Sequence, residues 1–245
     1  MNNMRAITTR ALVALSVALC AIVAVPALTF AAPNCNLERD LVGADLSGCD
    51  LTGANLWGAD LSRAKLTDAN LAGANLEDAK LTGANLTRAN LTDARLTRAN
   101  LSGANLTRAT LSGANLDSAN LTGADLTRAN LTGARLFFAD LTNANLSGAT
   151  LYGANLTFAN LIYANLSRAN LSYADLTRAN LTSADLTGAN LTGANLTDAK
   201  LTGANLTDAD LLGAYRIILI SRAELKGAKG VERSTGIGEA LGGHD

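Results

Sequence analysis

Ala119-Asn120-Leu121-Thr122-Gly123-Ala124-Asp125-Leu126-Thr127-Arg128 is two copies of one five-residue unit, and the unit repeats without a break from Ala44 to Gly213. Leucine recurs every fifth residue, from Leu46 to Leu211, in all 34 repeats. Alanine stands two places before each leucine, and only Cys49 departs from it. The residue between them is Asn in 19 repeats and Asp in 8, so the consensus reads A-[N/D]-L-[T/S]-x. Self-similarity over about 170 residues determines the architecture ahead of any other feature.

A five-residue period fits neither regular element. On an α-helix, leucines five apart rotate by roughly 140° each time and scatter around the surface. On a straight strand they land on alternate faces, which leaves half of them in water. All the leucines point inward only if the chain turns once per repeat. Each pentapeptide is then one side of a polygonal coil, with Leu and Ala inside and the other three positions outside. Stacked coils pair backbone to backbone at about 4.8 Å. Alanine suits its place because a larger side chain collides across so narrow a core.

Repeats such as Ala84-Asn85-Leu86-Thr87-Arg88 and Ala189-Asn190-Leu191-Thr192-Gly193 closely resemble those of the pentapeptide-repeat family. The resemblance implies an all-β fold: a right-handed quadrilateral parallel β-helix with four repeats per coil, hence about 8.5 coils for 34 repeats. The expected rod is roughly 40 Å long at about 4.8 Å per coil. The outward residues agree with a 20-residue coil, because Arg88, Arg108, Arg128 and Arg168 fall in one column, as do Phe138 and Phe158.

The flanks read differently. Residues 1–31 have the pattern of an export signal: Arg5 and Arg10 ahead of an apolar stretch from Ala11 to Phe30, with Thr29-Phe30-Ala31 as the cleavage site and Val25-Pro26-Ala27 as a second choice. The same stretch is long enough to stay as an uncleaved anchor. No second apolar segment of about 20 residues follows, so no membrane span is expected in the mature chain. Periplasm, cell exterior and thylakoid lumen share this signal pattern. Residues 32–43 break the leucine register and are expected to cap the first coil. After the repeats at 44–213, residues 214–229 read as a closing partial coil and 230–245 as a Gly-rich tail carrying His244, the only histidine. Removing Cys20 with the signal leaves Cys35 and Cys49. In an oxidising compartment these two are candidates for a disulfide; the alternative is a small buried Cys49 and a free thiol at Cys35.

Catalysis needs groups that converge in a sheltered pocket, whereas these polar side chains radiate from a convex rod. No catalytic residues, metal site or cofactor are expected: no repeat carries a histidine, and the glycines follow the period of five rather than a phosphate loop. The corner position also accepts Arg88, Phe138 and Tyr163, which argues against a glycine-only backbone there.

Three outward features exceed the consensus. Phe137, Phe138, Tyr152, Phe158, Tyr163 and Tyr173 gather within two coils of a chain that is only 4% aromatic, as a candidate protein interface or, alternatively, as local stacking between coils. Arg88, Arg108, Arg128 and Arg168 are candidates for an anionic partner, or for arginines fanned into water beside acidic neighbours; elsewhere Asp60 lies beneath Lys80 and Asp78 beneath Arg98. Thr82, Ser102, Thr122 and Thr142 form a flat hydroxyl ladder beside Gly83, Gly103 and Gly123.

Some pentapeptide-repeat proteins are DNA mimics that protect topoisomerases. Here the charge argues against that role, since loss of Arg5 and Arg10 leaves 18 basic against 21 acidic side chains, a net −3. No nucleic-acid partner is expected either, for want of positive excess. The leading reading is a non-catalytic exported structural or protein-interaction module that binds a protein or itself. The alternative is a secreted surface for a glycan, ice or an anionic polymer.

Overall fold

The computed structural model describes Cys35 and residues 41–215. Residues 1–31, expected to be an export signal, the rest of the expected cap, the expected partial coil beyond Tyr215 and the tail with His244 lie outside the described residues.

Every repeat pairs in parallel with the repeat 20 residues on, from Asp45 with Lys65 through to Asn195 with Tyr215. Four pentapeptides therefore complete one circuit. Each side contributes a single paired residue, because the turn consumes the rest of the repeat, so no side is long enough to be an extended strand. Leu46 and the leucines after it are buried in one continuous interior, with the alanines of residues 64–214 packed between them.

The repeat satisfies its own backbone. In Ala124-Asp125-Leu126-Thr127-Arg128, the Ala124 N–H donates to Leu121 of the preceding turn at 3.0 Å, and the Asp125 N–H donates to Ala104 at 2.9 Å. Leu126 and Arg128 donate to Asn145 and Ser147 of the next coil at 2.7 and 3.0 Å. The remaining donor, Thr127 N–H, points at its own repeat and is accepted by Asp125 Oδ1 at 2.9 Å. Asn and Asp dominate that position because they supply this fifth acceptor. Where Arg135 stands there instead, Asp117 of the coil before supplies it, accepting from Phe137 N–H at 3.1 Å.

Each described Asp at this position up to Asp185 lies beneath an Asn or a Lys. The Thr127 hydroxyl donates to Asp125 Oδ1 at 2.5 Å and in turn accepts from Asn145 Nδ2 at 2.9 Å. The same chain links Asp50, Thr52 and Asn70, and again Asp140, Thr142 and Asn160. Asp45 and Asp60 sit instead under Lys65 and Lys80, each 3.5 Å away. No aspartate at this position has another directly over it among the described residues, so like charges never stack there.

Two expectations change. The Asn/Asp and Thr/Ser positions are mostly half-buried rather than outside, because these ladders cover them; the corner residue alone is generally exposed. Turn geometry also begins at Leu41, not 44: Ala44 N–H donates to Leu41 at 3.2 Å and Gly43 already has φ +66°. Leu41 lies five residues before Leu46, and that spacing governs the turn whatever the register of Leu37.

The corners differ most from expectation. All 35, from Gly43 to Gly213, have positive φ, and 19 of them hold a residue other than glycine, Arg88 at +58° and Phe138 at +55° among them. The left-handed region is demanded at every corner, and L-residues occupy it at a cost of about 1 kcal/mol or more each.

At the first coil, Cys35 is bonded to Cys49, with Cα atoms 5.7 Å apart across a separation of 14 residues. Cys49 is fully buried at an alanine position, and Cys35 packs on the end of the core.

Two predictions follow from this packing and bonding. Ala124→Leu is expected to destabilise the rod by about 1–3 kcal/mol through overpacking, while Arg128→Gln at an exposed corner stays within about 0.5 kcal/mol; thermal unfolding of both variants checks the difference. The second concerns acid. The Thr52 hydroxyl, then the Thr52 amide, hold the Asp50 carboxyl below the usual range, and the Ser62 hydroxyl does so for Asp60 against the opposing effect of burial. Carboxyls depressed in the folded state stabilise it above the ordinary carboxylate value of about 3.9 and lose that contribution as pH falls through their lower folded values. The melting temperature should therefore be level from about pH 7 to 5 and fall below about pH 4. Asp50→Asn with Asp60→Asn keeps both Oδ1 acceptors and should flatten that acid limb; an unchanged limb would assign it to other groups.

Candidate functional site

With 20 residues per circuit, each corner stacks into an edge that runs the length of the rod. The edge of Asp78, Arg98, Ser118, Phe138, Phe158, Arg178 and Asp198 is an interlocked ladder. Phe138 lies flat over Phe158, ring centroids 4.8 Å apart and planes within 7°. Phe137, from the same turn as Phe138, meets both rings edge-on at 4.5 and 5.9 Å. Arg178 covers the free face of the stack, its guanidinium carbon 5.5 Å from the Phe158 centroid, and its Nε reaches Asp198 at 3.4 Å. Even so, Phe138 keeps 52% of its surface exposed.

The six aromatic residues do not form one patch. Tyr152 and Tyr173 make an edge-to-face pair at 5.5 Å on a neighbouring edge. Tyr163 stands alone on the edge beyond the phenylalanines, 62% exposed. Proximity along the sequence placed them in the same coils, but the turn every five residues distributes them over three edges. Trp57, 49% exposed and in the column of Phe137, was not singled out by the sequence reading because it lies four coils away from the cluster. Its indole donates to Asp78, one coil on.

The fourth edge, diagonally opposite the phenylalanines, is the arginine column. Arg88 is neutralised by a two-pronged bond to Asp68, Nε to Oδ1 at 2.7 Å and Nη2 to Oδ2 at 2.6 Å. That hydrogen bonding, and then the charge itself, hold the Asp68 carboxyl below its usual range and raise the Arg88 guanidinium. Arg98 and Asp78 repeat the arrangement at 2.7 Å. Arg108, Arg128 and Arg168 have no such partner among the described residues. They line a shallow trough of about 440 Å³ with Thr87, Thr107, Thr127, Ser147 and Ser167, and Gly148 leaves one rung empty. The Thr82 hydroxyl reaches Ser102 at 3.5 Å, a weak contact in an otherwise plain ladder.

Nothing among the described residues groups His, Cys, Asp or Glu as metal ligands. Every buried side-chain nitrogen or oxygen among them has a hydrogen-bond partner, so no polar group is held back in the interior for chemistry.

The family model for pentapeptide repeats matches the chain in eight copies, over residues 34–68, 59–98, 69–108, 94–133, 134–172 and 174–213. Among solved structures, the chain is similar to HetL, a pentapeptide repeat protein involved in heterocyst differentiation regulation from the cyanobacterium Nostoc sp. strain PCC 7120. The two are 42% identical over 71% of this chain and 83% of HetL, with a TM-score of 0.38. It is also similar to QnrB1, a plasmid-mediated fluoroquinolone resistance protein, at 21% identity over 82% of this chain and 97% of that one, with a TM-score of 0.49. No curated protein matches the chain. Repeats recognised across most of the sequence, each placed in the same turn and pairing pattern, establish that the chain belongs to the pentapeptide-repeat family.

Proposed function

We propose that this chain is an exported, non-catalytic protein-interaction module, a right-handed quadrilateral rod of about 8.5 coils that binds through its outer edges. The phenylalanine edge carries the reading. A stack fixed by its neighbours presents apolar surface without losing much side-chain freedom on binding, and aromatic anchors of this kind dominate the energetics of protein interfaces. Tyr173, 61% exposed on the adjacent edge, and Tyr163 on the next extend the contact region around the rod. The partner is another protein or a second copy of the chain.

Export is supported by the composition of residues 1–31 and by the Cys35–Cys49 bond, since disulfides persist in oxidising compartments. No helix among the described residues is long and apolar enough to cross a membrane. In this reading the mature chain resides in a periplasm, a thylakoid lumen or the cell exterior.

Phe138→Thr with Phe158→Thr removes one stacked pair, worth about 1 kcal/mol, and should leave a folded rod. Association, followed by sedimentation or by crosslinking in the exported fraction, should weaken tenfold or more, a loss of about 1.4 kcal/mol or greater. Unchanged association would reject the phenylalanine edge as the interface. N-terminal sequencing of the exported fraction should find a start at Ala32; recovery of intact Met1 chains from the cytoplasm would reject export.

A further inference from the structure

Nine arginines fall among the described residues, and five of them, Arg88, Arg95, Arg98, Arg135 and Arg178, each meet a carboxylate. Of the four without one, Arg108, Arg128 and Arg168 share a single edge, and only Arg63 lies elsewhere. Like charges on neighbouring rungs about 5 Å apart are unfavourable unless something neutralises them. Of the acids in or beside the column, Asp68 is engaged by Arg88 and Asp125 by the Thr127 hydroxyl, while Asp208 stands two rungs beyond Arg168.

Glycines in the column make room for these side chains. A Cβ placed on Gly148 would lie 3.5 Å from Arg128 Cγ, and one on Gly188 would lie 3.6 Å from Arg168 Cγ. Arg128 and Arg168 therefore lean along the rod axis over an empty rung, and the result is the trough rather than a bristle of separate charges. The trough also holds unused hydroxyls. Thr87, Thr127 and Ser167 donate to Asn85, Asp125 and Asn165, whereas the Thr107 and Ser147 hydroxyls make no hydrogen bond among the described residues.

We propose that this edge is a binding groove for an acidic polysaccharide, a polymer of uronate-type sugars running parallel to the rod axis. Guanidinium forks match carboxylates two bonds at a time. The rungs offer them at steps of about 4.8 Å and, across Gly148, of twice that. A uronan carries one carboxylate per sugar, fixed to a rigid ring, together with hydroxyls for Thr107 and Ser147 to meet. An extended acidic peptide presents same-face carboxylates about 6.8 Å apart and brings no ring hydroxyls for Thr107 and Ser147 to meet. Duplex nucleic acid needs a broad basic surface that a one-residue edge on a chain of net charge −1 does not provide. The groove lies diagonally across the rod from the phenylalanine edge, so it stands or falls independently of the protein-interaction reading.

Calorimetric titration of the full mature chain with polygalacturonate at low salt tests the proposal. The expected result is binding that weakens as salt is added, with no binding of the fully methyl-esterified polymer. The triple variant Arg108→Gln, Arg128→Gln, Arg168→Gln should lose roughly tenfold or more in affinity. Arg63→Gln with Lys200→Gln, which removes two exposed positive charges that meet no carboxylate among the described residues and lie away from this edge, should leave affinity within about twofold. Both variants should melt as the parent does, since the substituted side chains are exposed. Absence of polygalacturonate binding, equal losses from the two variants, or equally tight binding of poly-glutamate or duplex DNA would overturn it.

Discussion

Each pentapeptide has to place five backbone N–H groups while turning a corner, and this constraint shapes everything outside the leucine interior. Three donors go to neighbouring coils and one closes the turn. The fifth has no backbone acceptor within reach and is met by the Asn or Asp side chain two residues earlier, as at Thr127 and Asp125. An unmet buried donor costs about 1–3 kcal/mol, and the penalty would recur in every repeat. The consensus amide or carboxylate is therefore structural wherever it stands, in 19 repeats as Asn and in 8 as Asp. Seven repeats carry Lys, Arg or Thr there instead, and at Arg135 the missing acceptor is borrowed from Asp117 in the coil before.

Much of this was legible in the sequence, and what was missed has a common cause. The leucine period required one turn per repeat, and alanine opposite leucine required a narrow core; both hold across the described residues. The 20-residue columns already placed Asp60 beneath Lys80 and Asp78 beneath Arg98, and both pairs are formed. The corner backbone was less legible. Bulky residues at Arg88, Phe138 and Tyr163 argued against a glycine-only backbone, and the corners do accept them, but all three lie in the left-handed region with φ near +55 to +58°. Residue preference measures the local cost of that conformation, about 1–2 kcal/mol. It does not register the bonds made on both sides of each corner, which are formed only if the corner closes.

The candidate sites were less legible, because position along the chain and position around the rod are different coordinates. Six aromatic residues close in sequence looked like one patch and instead occupy three edges. Four arginines in one column looked alike, but Arg88 has an aspartate one coil before it and Arg108 has Arg88 there. The distinction rests on what lies 20 residues away rather than on neighbours in sequence. The charge of an Asp is met in the same direction, by an amide or a lysine one coil on, as Asn145 and Lys65 show over Asp125 and Asp45.

A rod built this way separates stability from recognition. Interior leucine and alanine are nearly invariant, the Asn/Asp and Thr/Ser positions mostly complete the backbone, and the corner side chain differs most freely from coil to coil. Corner chemistry is then read vertically, as an edge. Two or three adjacent corners of one kind give a stack of rings or a row of guanidinium groups at a fixed rise of about 4.8 Å, held by a backbone that does not adjust to them. Such an edge is preorganised: its groups are spaced before a ligand arrives, so little ordering cost remains to be met on binding. Opposite edges can hold different chemistries because the leucine interior between them is the same at every level.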